Sequence, residues 1–189
     1  TISYNLAGGS LPTGKTNPTT FTINSKPMDL VQPKREGYTF EGWSGTDIKE
    51  KDTQVTVTAR PLKDRTYTAN WKENSYTIVF NVEGEVTRGE MKNIPLRYTQ
   101  ETTIPKNGYV CGGYKFVGWR TGGKKSEQKV YQPGDKVSRL CATNNGTVNL
   151  YPIWEPCEYT ITFDYQTGNK REKVTCKYKE TYTFPTVNR

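Results

Sequence analysis

Gly37-Tyr38-Thr39-Phe40-Glu41-Gly42-Trp43 returns as Gly113-Tyr114-Lys115-Phe116-Val117-Gly118-Trp119, the pattern G-Y-x-F-x-G-W written twice in one chain. A repeated aromatic motif of this kind decides the architecture, because a missed repeat misreads a whole fold. Upstream of each copy lies a similar opening: Thr1-Ile2-Ser3-Tyr4-Asn5 and Thr77-Ile78-Val79-Phe80-Asn81, with a third at Thr160-Ile161-Thr162-Phe163-Asp164. Each places an aliphatic and then an aromatic residue on one face, the alternation of a half-buried strand. Ile2 precedes Trp43 by 41 residues, and Ile78 precedes Trp119 by the same 41. Downstream, each unit closes on a short aromatic strand ending in tryptophan, Tyr67 to Trp71 and Leu150 to Trp154. An insertion of seven residues between motif and closing strand accounts for the whole difference between the two periods.

The sequence therefore predicts a mainly β chain, α+β with minimal helix, built as tandem small modules. Two are complete, at residues 1–72 and 73–156, and a third, at 157–189, holds only the first half of a unit. Tyr178 to Pro185 repeats the pattern of Tyr98 to Pro105, and the chain ends before a third G-Y-x-F-x-G-W. It begins at Thr1 without Met or signal peptide, and so reads as a piece of something longer. Within a unit the opening strand turns at Gly8-Gly9 or Gly84. A return strand is expected around Thr19 to Asn24 or Ile94 to Gln100. A variable hairpin is expected at Thr53 to Arg60 or Lys129 to Arg139. Met28 to Gln32 is the one stretch suited to a helical turn, confined by Pro27 and Pro33. Asn144-Asn145-Gly146 is a hairpin-turn signal.

Composition agrees. The 189 residues carry 28 Thr and 13 Tyr against four Ala and seven Leu, so strand formers dominate and an all-helical fold is excluded. Aromatics at 12% argue against disorder. No apolar run is long enough for a membrane-spanning helix. The chain has no His, which removes His-based triads, general bases and zinc ligands together. Its net charge of +8 is shared almost evenly among the three units, with no basic stripe or reader motif for nucleic acid.

Four cysteines, Cys111, Cys141, Cys157 and Cys176, all follow residue 110, and none forms a C-x-x-C pair. Disulfides in an oxidising compartment and buried free thiols are both open readings. If bridged, Cys111–Cys141 would join two segments that the first unit lacks. Cys157–Cys176 would tie the arms of a hairpin around Gln166 to Arg171, where a symmetric turn sets Cys176 opposite Ile161.

At these motifs the chain resembles the Listeria–Bacteroides repeat family, the B-repeat of internalin B. The resemblance is closest over residues 1–71, through Asn5-Leu6-Ala7-Gly8-Gly9-Ser10-Leu11-Pro12 and the ending Arg65-Thr66-Tyr67-Thr68-Ala69-Asn70-Trp71. The second unit departs from it in the inserted Gly108-Tyr109-Val110-Cys111-Gly112, in Pro152 and in its cysteines. The resemblance implies β-grasp-like modules of a bacterial cell-surface or secreted protein, serving as spacers or adhesive units. It brings no catalytic residue and no cofactor.

Two groups of residues invite a functional reading. Tyr38, Phe40 and Trp43, with Tyr114, Phe116 and Trp119, suit sugar stacking, but a module of about 75 residues needs such aromatics to close its core, and the core reading is preferred. Arg120, Lys124, Lys125 and Lys129, and separately Lys170, Arg171 and Lys173, form two basic clusters suited to polyanion contact, or simply to solvated turns. Carboxylate pairs such as Asp47/Glu50 and Glu83/Glu85 lack a nucleophile or base beside them. The expected partners are neighbouring modules of the same chain and a host glycoprotein or cell-wall glycopolymer, with neither nucleic acid nor membrane insertion. A non-catalytic spacer or interaction region is the leading reading, and a glycopolymer-binding module the alternative.

Overall fold

A computed structural model describes residues 1–165 and 171–184. The chain divides into two compact units. The first comprises Thr1–Thr77, Ile94–Thr102 and Val137–Val148; the second comprises Ile78–Asn93, Thr103–Lys136 and Asn149–Arg189. Both are built from short strands, and the helical structure among the described residues is a 3-10 turn at Lys125–Glu127.

The first unit is organised by a mixed three-stranded sheet. Its central strand is the closing strand Arg65–Glu73. The opening strand Ile2–Asn5 runs parallel to it, with Ile2 opposite Arg65 and Tyr4 opposite Tyr67. The motif strand Tyr38–Gly45 runs antiparallel on the other side, with Phe40 opposite Trp71 and Trp43 opposite Ala69. Ile2, Leu30, Trp43, Val55, Val57, Tyr67 and Ala69 form the core, and Tyr4, Phe21, Phe40 and Trp71 pack around it.

One irregularity explains the second glycine of the motif. Phe40 and Trp43 are three residues apart, so an unbroken strand would send them to opposite faces. The ladder slips between Phe40 and Gly42, leaving Glu41 as an extra residue, a β-bulge. Both rings then reach the same side and meet edge to face, 5.6 Å between centroids. Gly42 takes φ +122°, and a Cβ there would lie 2.7 Å from the Asp52 backbone. The second motif repeats the device, with a slip between Phe116 and Gly118 and the Phe116 and Trp119 rings 5.1 Å apart.

In the second unit the motif strand Tyr114–Thr121 pairs antiparallel with the closing strand Gly146–Pro156, Phe116 opposite Trp154 and Trp119 opposite Pro152. Its other edge takes Val130–Tyr131. Ile78 and Phe80 of the opening strand are buried, with Phe80 against Trp119 at 4.8 Å. The Tyr109 hydroxyl donates to the Phe80 carbonyl at 2.8 Å. Beyond residue 157, Glu158–Asp164 and Arg171–Lys177 form an antiparallel ladder.

Three local expectations need correction. Met28–Asp29 is a strand paired with Thr56–Val57, not a helical turn. The Leu30 amide donates to the Val55 carbonyl at 2.8 Å, and five residues between prolines gain more from such pairing than from a turn of helix. Thr19 to Asn24 forms no strand; its end is a turn at Ile23-Asn24, closed by the Ser25 amide on the Thr22 carbonyl at 3.0 Å. Its counterpart Ile94–Arg97 is a strand. Finally, Cys176 lies opposite Tyr159 rather than Ile161. That register sets Asp164 opposite Arg171, and the two side chains form an ion pair at 3.1 Å.

Candidate functional site

The aromatic motif residues divide into two sets. Trp43 and Trp119 are both 0% exposed, which removes them from any sugar-stacking surface. Each is held edge to face by its own unit: Trp43 by Tyr4 and Phe40, Trp119 by Phe80, Tyr109 and Phe116. Neither indole N–H finds a hydrogen-bond acceptor, so the two sites match in that respect too. Burial pushes the hydroxyls of Tyr109 and Tyr131 up from the usual tyrosine range.

Tyr38 and Phe40 are half-buried and remain accessible from one side. With Trp71, Arg35, Ala142 and Thr143 they line an open cleft of about 540 Å³ in the first unit. Trp71 is fixed there by its indole N–H, which donates to the Leu6 carbonyl at 3.0 Å, and by the Phe40 ring 5.4 Å away. The Arg35 guanidinium lies 3.7 Å over the Tyr38 ring, a cation–π contact covering that face. Sequence reading passed over Arg35 and Trp71 as members of this cleft. The available signal was the Arg-x-Gly-Tyr spacing, which sets a cation three residues before a tyrosine across a glycine turn.

The basic residues differ in how far their charge is already met. Arg120 forms a bidentate pair with Glu83, at 2.6 and 2.7 Å, and its guanidinium lies 5.2 Å over the Tyr151 ring. Its charge is therefore already met. Lys124, Lys125 and Lys129 do share one exposed loop around the 3-10 turn, closed by the Thr121 amide on the Lys129 carbonyl at 2.9 Å. A cleft of about 500 Å³ beside it is lined by Arg120, Lys125, Gln128, Val130 and Ile153. Arg171 is paired to Asp164, Lys173 is exposed opposite Thr162, and Lys170 falls outside the described residues.

Three of the four carboxylates considered for acid–base chemistry are likewise engaged. Asp47 takes Lys63 at 2.8 Å, Glu83 takes Arg120, and Glu85 takes Lys179 at 2.6 Å. The hydrogen bond to Glu85 raises the Lys179 ammonium above its usual range. No cluster of His, Cys, Asp and Glu suited to a metal ion occurs among the described residues. No helix is long and apolar enough to cross a membrane among them.

All four cysteines are free thiols, so neither bridge anticipated from the sequence is formed. Cys111 is buried on a two-residue strand in the second unit, whereas Cys141 belongs to the first. Cys157 and Cys176 lie on opposite arms of their hairpin at different heights, Cys176 facing Tyr159 and Cys157 accepting the Tyr178 amide at 2.8 Å. Neighbours on a diagonal sit about 7–8 Å apart at Cα, longer than an unstrained disulfide spans.

Two recurring sheets, each with a bulged aromatic motif and a tryptophan at its centre, are what a repeat family would produce. The sequence profile of the Listeria-Bacteroides repeat domain matches residues 1–70 and again residues 76–151. The chain belongs to this family. Among curated proteins, a putative Gly-rich membrane protein of Evansella cellulosilytica is 26% identical over 83% of this chain and 18% of its own length. A putative membrane protein of the same organism is 26% identical over 98% of this chain and 25% of its own. Internalin H of Listeria monocytogenes is 30% identical over 59% of this chain and 20% of its own. The chain thus spans a quarter or less of each of these relatives. No solved structure matches it significantly. The two Listeria-Bacteroides repeats are joined by the pair of strands Arg65–Glu73 and Ser75–Phe80, with Asn74 between them.

Proposed function

We propose that this chain is a non-catalytic tandem-repeat region of a bacterial cell-surface or secreted protein, in which Listeria-Bacteroides repeats act as spacer and interaction modules. The observation that carries this reading is the inward use of the chain's largest aromatics: both motif tryptophans are wholly buried at equivalent places. The structural chemistry of each repeat is spent on closing a small core, and three of the four carboxylates considered for acid–base chemistry, Asp47, Glu83 and Glu85, are held in ion pairs. The mixed sheet, with opening and closing strands parallel, is consistent with a β-grasp-like module. The membrane and internalin names carried by the relatives support an extracellular, envelope-associated setting.

A second reading is favoured by one specific observation, the cleft that presents Tyr38, Phe40 and Trp71 beside Arg35. An aromatic-walled cleft with one cation suits a glycopolymer of cell wall or host. Calorimetric titration of the full chain with lipoteichoic acid, heparin and mucin glycans separates the two. The spacer reading expects weak polyanion binding that disappears at physiological salt, since exposed charges are screened beyond about 8 Å there. Tight, salt-resistant binding abolished by Lys124→Ala with Lys125→Ala, or by Trp71→Ala alone, overturns it.

A further inference from the structure

The first two residues of G-Y-x-F-x-G-W take little part in the core that the last four build. Gly37 stands at φ +76°, and a Cβ placed on it would lie 2.0 Å from Cδ1 of Tyr98, a residue of the following repeat's sequence. The Tyr98 ring rests on that bare backbone and meets Tyr38 edge-on at 6.4 Å. Two backbone bonds lock it there: Asn74 donates to the Gly37 carbonyl and accepts from the Tyr98 amide, both at 2.9 Å. The same arrangement recurs one repeat later. Gly113, at φ +78°, carries the Tyr178 ring, which meets Tyr114 at 5.3 Å. Cys157 donates to the Gly113 carbonyl and accepts from the Tyr178 amide, both at 2.8 Å.

Asn74 and Cys157 each follow their closing tryptophan by three residues, so the connecting position is the same in both repeats. Only its side chain differs. Asn74 is buried, accepts the Thr39 hydroxyl at 2.6 Å and donates to the Ala142 carbonyl at 2.8 Å. Beside it the Glu73 carboxylate takes both the Thr99 amide and hydroxyl, which holds it below the usual carboxylate range.

The inserted tyrosine is presented by a turn that occurs three times. The Gln100 amide donates to the Arg97 carbonyl at 3.1 Å, and the Glu180 amide to the Lys177 carbonyl at 3.0 Å. In the first repeat the Ser25 amide donates to the Thr22 carbonyl at 3.0 Å. Each turn is also closed from its fourth residue's side chain, by Ser25, Gln100 or Glu180, onto the amide of Thr22, Arg97 or Lys177. The position held by Tyr98 and Tyr178 is held in the first repeat by Ile23. Tyr98 is 6% exposed; Ile23 is 49% exposed.

We propose that Gly-Tyr at the head of each motif is a socket for one side chain of the following repeat, and that Ile23 is the first repeat's own plug, a docking point for the Gly-Tyr socket of another such repeat. This deepens the reading of the chain as tandem interaction modules and rests on it. The occupant is another copy of the same module because the same turn, at the same place in the next two repeats, is already seated on that surface. Single apolar side chains on a surface are ordinary. What marks Ile23 is that both of its structural equivalents are covered by one chemistry.

Amide hydrogen exchange on the full chain tests the socket. Tyr98→Ala should speed exchange at Asn74 and at position 98 by roughly tenfold or more, while Trp43 and Ala69 stay within about twofold, as expected of local opening. Tyr178→Ala should act the same way at Cys157 and position 178, and Tyr98→Phe should retain protection. Unchanged exchange at Asn74, or acceleration shared by Trp43, overturns the socket. For Ile23 the chain is lengthened by repeating residues 1–76, one period, ahead of Thr1. The Ile23 amide of the original repeat should then slow by roughly tenfold, and Ile23→Ser in that repeat should remove the protection. An unaltered Ile23 amide in the lengthened chain overturns the docking assignment. Neither result depends on glycopolymer binding, so this proposal and the spacer reading fail separately.

Discussion

Replacing Trp43 by alanine removes the largest fully buried side chain of the first unit. Truncating a core aromatic costs roughly 3–5 kcal/mol, the lost transfer energy together with the cavity left behind. Two terms specific to this site move the figure within that range. Trp43 meets Phe40 at 5.6 Å and Tyr4 at 6.0 Å edge to face, pairs worth about 0.5–1.5 kcal/mol each beyond area burial. Against this, its indole N–H is buried without an acceptor, and a group of that kind costs about 1–3 kcal/mol in the native state. Alanine abolishes that penalty along with the contacts. The terms offset, and the expected loss is about 3–4 kcal/mol, a large share of the stability of a small domain. Urea unfolding followed by far-ultraviolet circular dichroism measures it, with the slope unchanged if only stability has moved. Trp43→Phe keeps an edge for Tyr4 and Phe40 and discards the unpaired N–H, so it should cost less than about 1.5 kcal/mol. A loss below about 1 kcal/mol for Trp43→Ala refutes the core assignment. A phenylalanine variant as damaged as the alanine one refutes the weight given to the N–H.

The cysteines and Tyr4 offer two more predictions. Alkylation of the native chain under non-reducing conditions should modify Cys141, Cys157 and Cys176 readily and the buried Cys111 only on unfolding; any disulfide-linked peptide contradicts the structure. Burial, and then the neighbouring Tyr67, push the Tyr4 hydroxyl from 10.0 up to about 12, with its proton held toward the Pro18 carbonyl at 2.8 Å. A pKa raised by folding gives stability that is complete below pH 10 and lost as pH climbs through about 12, so alkaline unfolding should be shallower in Tyr4→Phe. An ultraviolet difference titration in which Tyr4 ionises with the exposed tyrosines would contradict this.

Much of the architecture follows from the chain's local pattern. Side chains alternate across a strand, so Ile2 and Tyr4, or Ile78 and Phe80, announce a buried face without knowledge of any partner. The repeated spacing from each opening to its tryptophan makes the two units recognisable as copies, and a small module's need for large apolar side chains places Trp43 and Trp119 inside. Three features depended on contacts that no local pattern carries. The bulge at Glu41 becomes visible only against the closing strand, because an extra residue is defined by the ladder it interrupts. Arg120 reads as a free cation until Glu83, 37 residues away, is seen to neutralise it. Gly37 reads as a turn glycine until the Tyr98 ring is found lying on it, 61 residues along the chain. Period and facing are properties of consecutive dihedrals and so are written in the sequence. Charge pairing, register and the seat of one repeat upon the next arise between segments far apart in sequence, and only folding brings those segments within reach.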